Sequence, residues 1–182
     1  MTSITEAAEG TLPAGTWTTD QSHSRAEFEV EHAGISVFRG GFTPIDARLS
    51  VDDDGAVLEG SVGIASISID DENIRPHLLS PEFFDADRTP EISFSSTRVE
   101  QSGDEVEIAG ELTIKGTSLP IRARGTVGEQ TEANGRQYFG LSLEADVDRT
   151  QYGLNWNNPL PNGKPALAND VSITAELYWT KD

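Results

Sequence analysis

Glu105-Val106-Glu107-Ile108-Ala109-Gly110-Glu111-Leu112-Thr113-Ile114-Lys115-Gly116 is the stretch that decides the fold class. Val106, Ile108, Gly110, Leu112 and Ile114 fall on one face, and Glu105, Glu107, Ala109, Glu111 and Thr113 fall on the other. That two-residue period belongs to a strand with one buried and one wet side. Lys115-Gly116 ends the run where a tight hairpin needs residues tolerant of positive φ.

Outward from this strand the pattern repeats. Ala26, Phe28 and Val30 alternate with Glu27, Glu29 and Glu31, and Ile45, Ala47, Leu49 and Val51 alternate with Asp46, Arg48, Ser50 and Asp52. Residues 62–69, 92–99, 121–127, 139–147 and 171–179 read the same way, for roughly eight strands in all. Asp54-Gly55, Gly103-Asp104 and Asn134-Gly135 supply further tight turns, so strands pair mainly with their sequence neighbours. One short helix is predicted between about Asn73 and Ser80, with Pro76 inside its first turn. Residues 155–163, Asn-Trp-Asn-Asn-Pro-Leu-Pro-Asn-Gly, carry too many breakers for a ladder and read as a long loop.

Such an all-β chain closes either as a two-sheet sandwich or as a barrel. Small residues fall at inward positions: Ala26, Ala47, Gly110, Ala123, Gly125, Ala145 and Ala175. A barrel lined this way is under-filled and predicts an internal cavity; the competing explanation is that these residues permit curvature or close packing.

The chain has 182 residues, 36% of them hydrophobic, which suits one domain with a sizeable core. Its formal net charge of −18 opposes nucleic-acid phosphates and anionic lipid surfaces, and three lysines cannot form a basic stripe. Nucleic-acid binding is therefore not expected, nor is stable membrane insertion, since no apolar run of about 18 residues occurs. Without cysteine there are no disulfides, thiolate metal sites or thiol nucleophiles. Residues 1–15 show neither a basic region nor an apolar core of a signal peptide; they read as a mobile tail before a domain spanning 16–182, and the expected location is cytoplasmic.

From Trp17 nearly to the end, the chain resembles the YceI-like family of lipid- or polyisoprenoid-binding barrels. The resemblance is carried by Trp17-Thr18-Thr19-Asp20-Gln21-Ser22-His23-Ser24, by residues 30–42, and by His77-Leu78-Leu79-Ser80-Pro81-Glu82-Phe83-Phe84-Asp85-Ala86 with Thr89-Pro90-Glu91-Ile92-Ser93-Phe94. Gly110-Glu111-Leu112-Thr113-Ile114-Lys115-Gly116 and Asp148-Arg149-Thr150-Gln151-Tyr152-Gly153-Leu154 complete it in the same order. Ile74-Arg75-Pro76 stands where many members carry an Arg-Asp pair before the helix histidine. The resemblance implies a single antiparallel eight-stranded, lipocalin-like barrel with one or two short helices. It also implies that the interior takes up a long isoprenoid or similar amphiphile, such as a quinone or fatty-acid-like ligand, with no catalytic cofactor.

Candidate cavity-lining residues are Phe28, Phe42, Phe94, Ile108, Leu112, Phe139, Leu143 and Trp156; core packing explains any one of them equally well. At the polar mouth the candidates are His23, Arg39, His77 and Tyr152. For His77 the alternatives are a headgroup contact or a helix-to-barrel hydrogen bond, and for Arg39 a headgroup contact or an ion pair to a loop carboxylate. His23 and His32 lie on opposite faces of a regular strand, and no histidine pair has ligand spacing, so no metal site is expected. No nucleophile elbow, phosphate loop or His-Glu-x-x-His segment occurs. Binding without catalysis is the leading expectation; an enzyme using His23 or His77 on an apolar substrate, and a filled barrel working through a protein partner, remain alternatives. A homodimer would follow from an open strand edge.

Overall fold

The structure, a computed structural model, describes residues 11–182. The ladder segments are β1 (Gly15–Thr19), β2 (Arg25–His32), β3 (Ser36–Phe42), β4 (Ile45–Asp52), β5 (Gly55–Gly63), β6 (Ile67–Ile69), β7 (Glu91–Ser102), β8 (Glu105–Ile114), β9 (Thr117–Val127), β10 (Thr131–Ala133), β11 (Arg136–Asp148) and β12 (Leu167–Lys181). One short α-helix, α1 (Arg75–Leu79), lies between β6 and β7 among the described residues.

These segments make eight antiparallel wall strands, because three of the strands are each broken once. β1 and β2 pair in succession with β12, at Trp17↔Lys181 and then Ala26↔Ala175. β3 and β4 are separated by Thr43-Pro44, and β5 and β6 by a 3-10 turn over Ile64–Ser66. The order β1/β2, β3/β4, β5/β6, β7, β8, β9, β11, β12 closes on itself through the ladder from Tyr138↔Thr180 to Asp148↔Asp170. This is the eight-stranded barrel that the resemblance implies, and one of the two closures that the alternation left open; the β11–β12 ladder leaves no open edge at that seam.

The break between β1 and β2 explains one of the quoted blocks. Asp20 N donates to Tyr178 O, and Tyr178 N donates to Ser24 Oγ, so residues at the two ends of the turn keep β12 satisfied where regular pairing lapses. The Asp20 carboxylate also accepts from Ser22 N. Desolvation raises its pKa, but hydrogen bonds from His23 and Ser22 outweigh this and hold it below the usual carboxylate value.

The turns follow the sequence. Lys115 and Gly116 have φ of 52° and 78°, and Asn134 and Gly135 have 52° and 76°, the left-handed pair that a two-residue hairpin demands. Pro76 sits in the first turn of α1, preceded by a 3-10 turn capped by Asp71, whose carboxylate accepts from Asn73 N. The tail expected for residues 1–15 is corrected in part. Residues 1–10 lie outside the described residues, whereas Leu12 packs on the core, Pro13 is buried, and its carbonyl accepts from Trp17 Nε1 at 3.0 Å.

Two apolar clusters divide the interior along the barrel axis. At one end Trp17, Phe139 and Trp179, all 2% exposed or less, form a solid plug. Trp17 meets Phe139 edge-on at 4.8 Å, and Phe139 stacks on Trp179 at 6.3 Å. At the other end Phe42, Leu78, Phe83, Leu112, Leu154 and their neighbours surround a void.

Candidate functional site: an apolar cavity at one end of the barrel

The void is a cavity of about 590 Å³ lined almost wholly by apolar side chains, within the usual range for a small-molecule site. Its floor is Ile45, Ala47, Leu58 and Leu177, which also belong to the cluster around the tryptophan plug. Phe28, Phe94, Leu112, Leu143 and Ile173 form the walls, and Ile74, Leu78, Phe83, Phe84 and Trp156 cover the far end. Four of the exposed lining residues, His32, Ser36, Val37 and Asp71, mark the mouth beside the β2–β3 hairpin, while the other two, Glu27 and Glu144, lie within β2 and β11. Ile35, at the tip of that hairpin, is 91% exposed.

Both explanations of the small inward residues are correct, each for a different residue type. Ala26, Ala47, Ala123, Ala145 and Ala175 all line the cavity. The two inward glycines instead allow close approach: a Cβ on Gly110 would overlap the Ser95 carbonyl and the Phe94 ring, and one on Gly125 would overlap the Ser142 carbonyl. Alanine thus leaves room for a ligand, while glycine lets the wall turn inward.

The cover is held by Arg149. Its side chain is 4% exposed, and its guanidinium donates from Nε to Ala168 O at 2.8 Å and from one terminal nitrogen to Leu154 O at 2.6 Å and Trp156 O at 2.8 Å. A longer contact reaches Leu167 O at 3.4 Å. Leu154 and Trp156 stand at the start of the long loop predicted over residues 155–163, and Leu167 and Ala168 open β12 beyond it, so one planar fork ties the two sides of the loop together. Burial lowers the Arg149 pKa, partly offset by the charge of Asp148. Asp148 accepts from the Thr150 hydroxyl and backbone N–H, which hold its own pKa below the usual value. Asn157 completes the clamp by accepting from Ala166 N at 2.7 Å and donating to Leu167 O at 3.0 Å.

The predicted site residues divide by height in the barrel. Phe28, Phe42, Phe94, Leu112, Leu143 and Trp156 line the cavity together. Ile108 and Phe139 do not; they share the inward face but lie lower, packed in the plug cluster. Of the polar candidates, His77 lines the cavity, with Nε2 2.9 Å from Glu82 Oε2 and its ring edge-on to Phe83 and Trp156 at 5.0 Å. His23 is placed outside the barrel, 3.2 Å from Asp20 and beside the Tyr178 ring. Arg39 points outward to Glu29 at 2.9 Å, an ion pair whose carboxylate stands on the neighbouring strand β2 rather than in a loop. Tyr152 is not at the rim but 2% exposed beneath the turn after β11, its hydroxyl buried without a hydrogen-bond partner among the described residues; burial raises its pKa.

Sequence reasoning missed His32, Asp71 and Arg149 as cavity-lining polar residues. A polar groove of about 690 Å³ runs outside the wall between β9 and β11, where the ladder stops after Glu144↔Arg124. Pro120, farther along β9, lacks an N–H with which to extend it. Among the described residues no three His, Asp or Glu side chains are placed to hold a metal ion, and no helix is long and apolar enough to cross a membrane.

A UPF0312 protein of Staphylococcus aureus (strain USA300) is 30% identical over 171 residues, covering 90% of this chain and 96% of the relative. Among solved structures, the Campylobacter jejuni YCEI protein superposes with a TM-score of 0.70 at 22% identity, covering 84% of this chain and 90% of its own. A polyisoprenoid binding domain from Saccharophagus degradans, implicated in plant cell wall breakdown, gives 0.71 at 10% identity, covering 91% of this chain and 98% of its own. The YceI-like domain model matches residues 17–179, and the chain belongs to that family.

Proposed function

We propose that this protein binds, and by binding carries, an amphiphile with a long apolar tail, held tail-first in the barrel with its polar end at the mouth between the β2–β3 hairpin and α1. The observation that carries the reading is the 590 Å³ apolar cavity left open by five alanines, with an aliphatic floor backed by Trp17, Phe139 and Trp179. Apolar walls offer water few hydrogen-bond partners, which favours apolar guests. The polyisoprenoid binding domain among the structural neighbours supports the same class of guest.

Recognition at the mouth falls to His77, His32, Asp71 and Ser36. Tail burial supplies affinity, while mismatched polar groups at the mouth discriminate between heads. His77 pairs with the exposed Glu82 and lies edge-on to Phe83 and Trp156, a setting that favours packing and headgroup contact over turnover.

The test is titration with an environment-sensitive fluorescent fatty acid, comparing the native chain with Ala175→Phe, which fills the cavity from its wall. Saturable binding to the native chain that weakens at least tenfold in the variant, with the melting temperature retained, supports the reading. Equal binding to both places the probe on the surface and refutes it.

A further inference from the structure

The cavity is closed below, and its volume sets a limit on the guest. Ile45, Ala47, Leu58 and Leu177 form a floor backed by Trp17, Phe139 and Trp179, which pack edge-on and stacked, are at most 2% exposed and do not line the cavity. Those three rings are among the largest fully buried side chains, so moving them aside to admit more tail would break the solid half of the core. A methylene takes up roughly the share of volume that a water has in the liquid, ~30 Å³, so 590 Å³ accommodates about 20 carbon units.

Resting on the binding reading above, we infer that this barrel measures chain length: it takes tails of about 20 carbons, and any longer chain leaves its remainder outside the mouth. The determinants are the floor alanine Ala47, the wall alanine Ala123 and the plug beneath them. The substrate class is thereby narrowed to a fatty or four-unit isoprenoid tail on a small polar head. A carrier built for chains of about twice that size would need the lower half of the barrel open, and here it is full.

The experiment is competition by a series of fatty alcohols from about 10 to about 30 carbons against one fluorescent fatty acid, at constant free alcohol. Below the limit each added carbon buries more apolar surface and tightens binding two- to fourfold; above it the gain vanishes. The expected curve breaks near about 20 carbons. Ala47→Leu and Ala123→Leu each fill the space of about three carbons and should move the break down by about that number, with melting temperatures checked for both. A break that stays put in both folded variants overturns the inference, as does affinity that still rises steadily to about 30 carbons. Failure of every alcohol and of the probe to bind would overturn the binding reading itself, a separate result.

Discussion

Replacing Arg149 with Met removes the fork while keeping a side chain of similar length. Three hydrogen bonds of 2.6–2.8 Å are lost, to Leu154, Trp156 and Ala168 carbonyls, together with the long contact to Leu167. Bonds to a charged donor contribute about 1.5–3 kcal/mol each, but desolvating the guanidinium already offsets part of this, and the freed carbonyls of Trp156 and Ala168 are only partly buried and can reach water. The expected net loss is about 3–4 kcal/mol, or a melting temperature lower by about 10 °C for a domain of this size. Arg149→Lys keeps the charge but not the fork and should lose about 2 kcal/mol. Urea titrations of the three proteins, followed by tryptophan fluorescence, measure this directly. A loss below about 1 kcal/mol for Met, or no difference between Lys and Arg, would refute the claim that this side chain fastens the cover.

Trp17→Ala should cost about 3–5 kcal/mol in urea unfolding, because the ring is fully buried against Phe139 and donates to Pro13 O; a loss under about 2 kcal/mol would mean the plug is loosely packed. Gly110→Ala should cost about 1–3 kcal/mol, since the new methyl overlaps the Ser95 carbonyl and Phe94, and a neutral effect would contradict the inward turn of the wall there. Asp148 has a folded pKa below its ordinary 3.8, so its contribution is fully present above that value and is lost as pH falls through the folded value. The near-ultraviolet signal of Trp156 should therefore weaken in acid in the native chain. In Asp148→Asn that acid-dependent step should shrink, and an unchanged step would assign it to another group.

The strands were legible because each carries a wet face of charged or hydroxyl side chains. Where strands break was not, since a period of two does not show where a ladder changes partner. Residues 62–69 read as one strand, yet the chain turns at Ile64–Ser66 before β6 pairs with β3. The same limit explains Ile108 and Phe139: they have the inward phase of Leu112 and Leu143, and only height along the barrel axis separates plug from cavity.

Of the polar candidates, His23, Arg39 and Tyr152 lie away from the mouth, for a related reason. His23 sits in a turn whose i, i+3 pairing with Asp20 draws it outside, and a lone Tyr152 gives no clue that a 3-10 turn buries it. Arg149 did leave a trace: an arginine directly after Asp148 and ahead of a loop rich in Asn and Pro has carbonyls within reach and no regular ladder to satisfy them.

Native mass spectrometry of the freshly purified protein, followed by organic extraction and identification of whatever dissociates, bears most directly on the cavity as a lipid site. A discrete adduct with a tail of about 20 carbons is the expected result. A clean unliganded mass that persists after incubation with isoprenoid alcohols, quinones and fatty acids would contradict it.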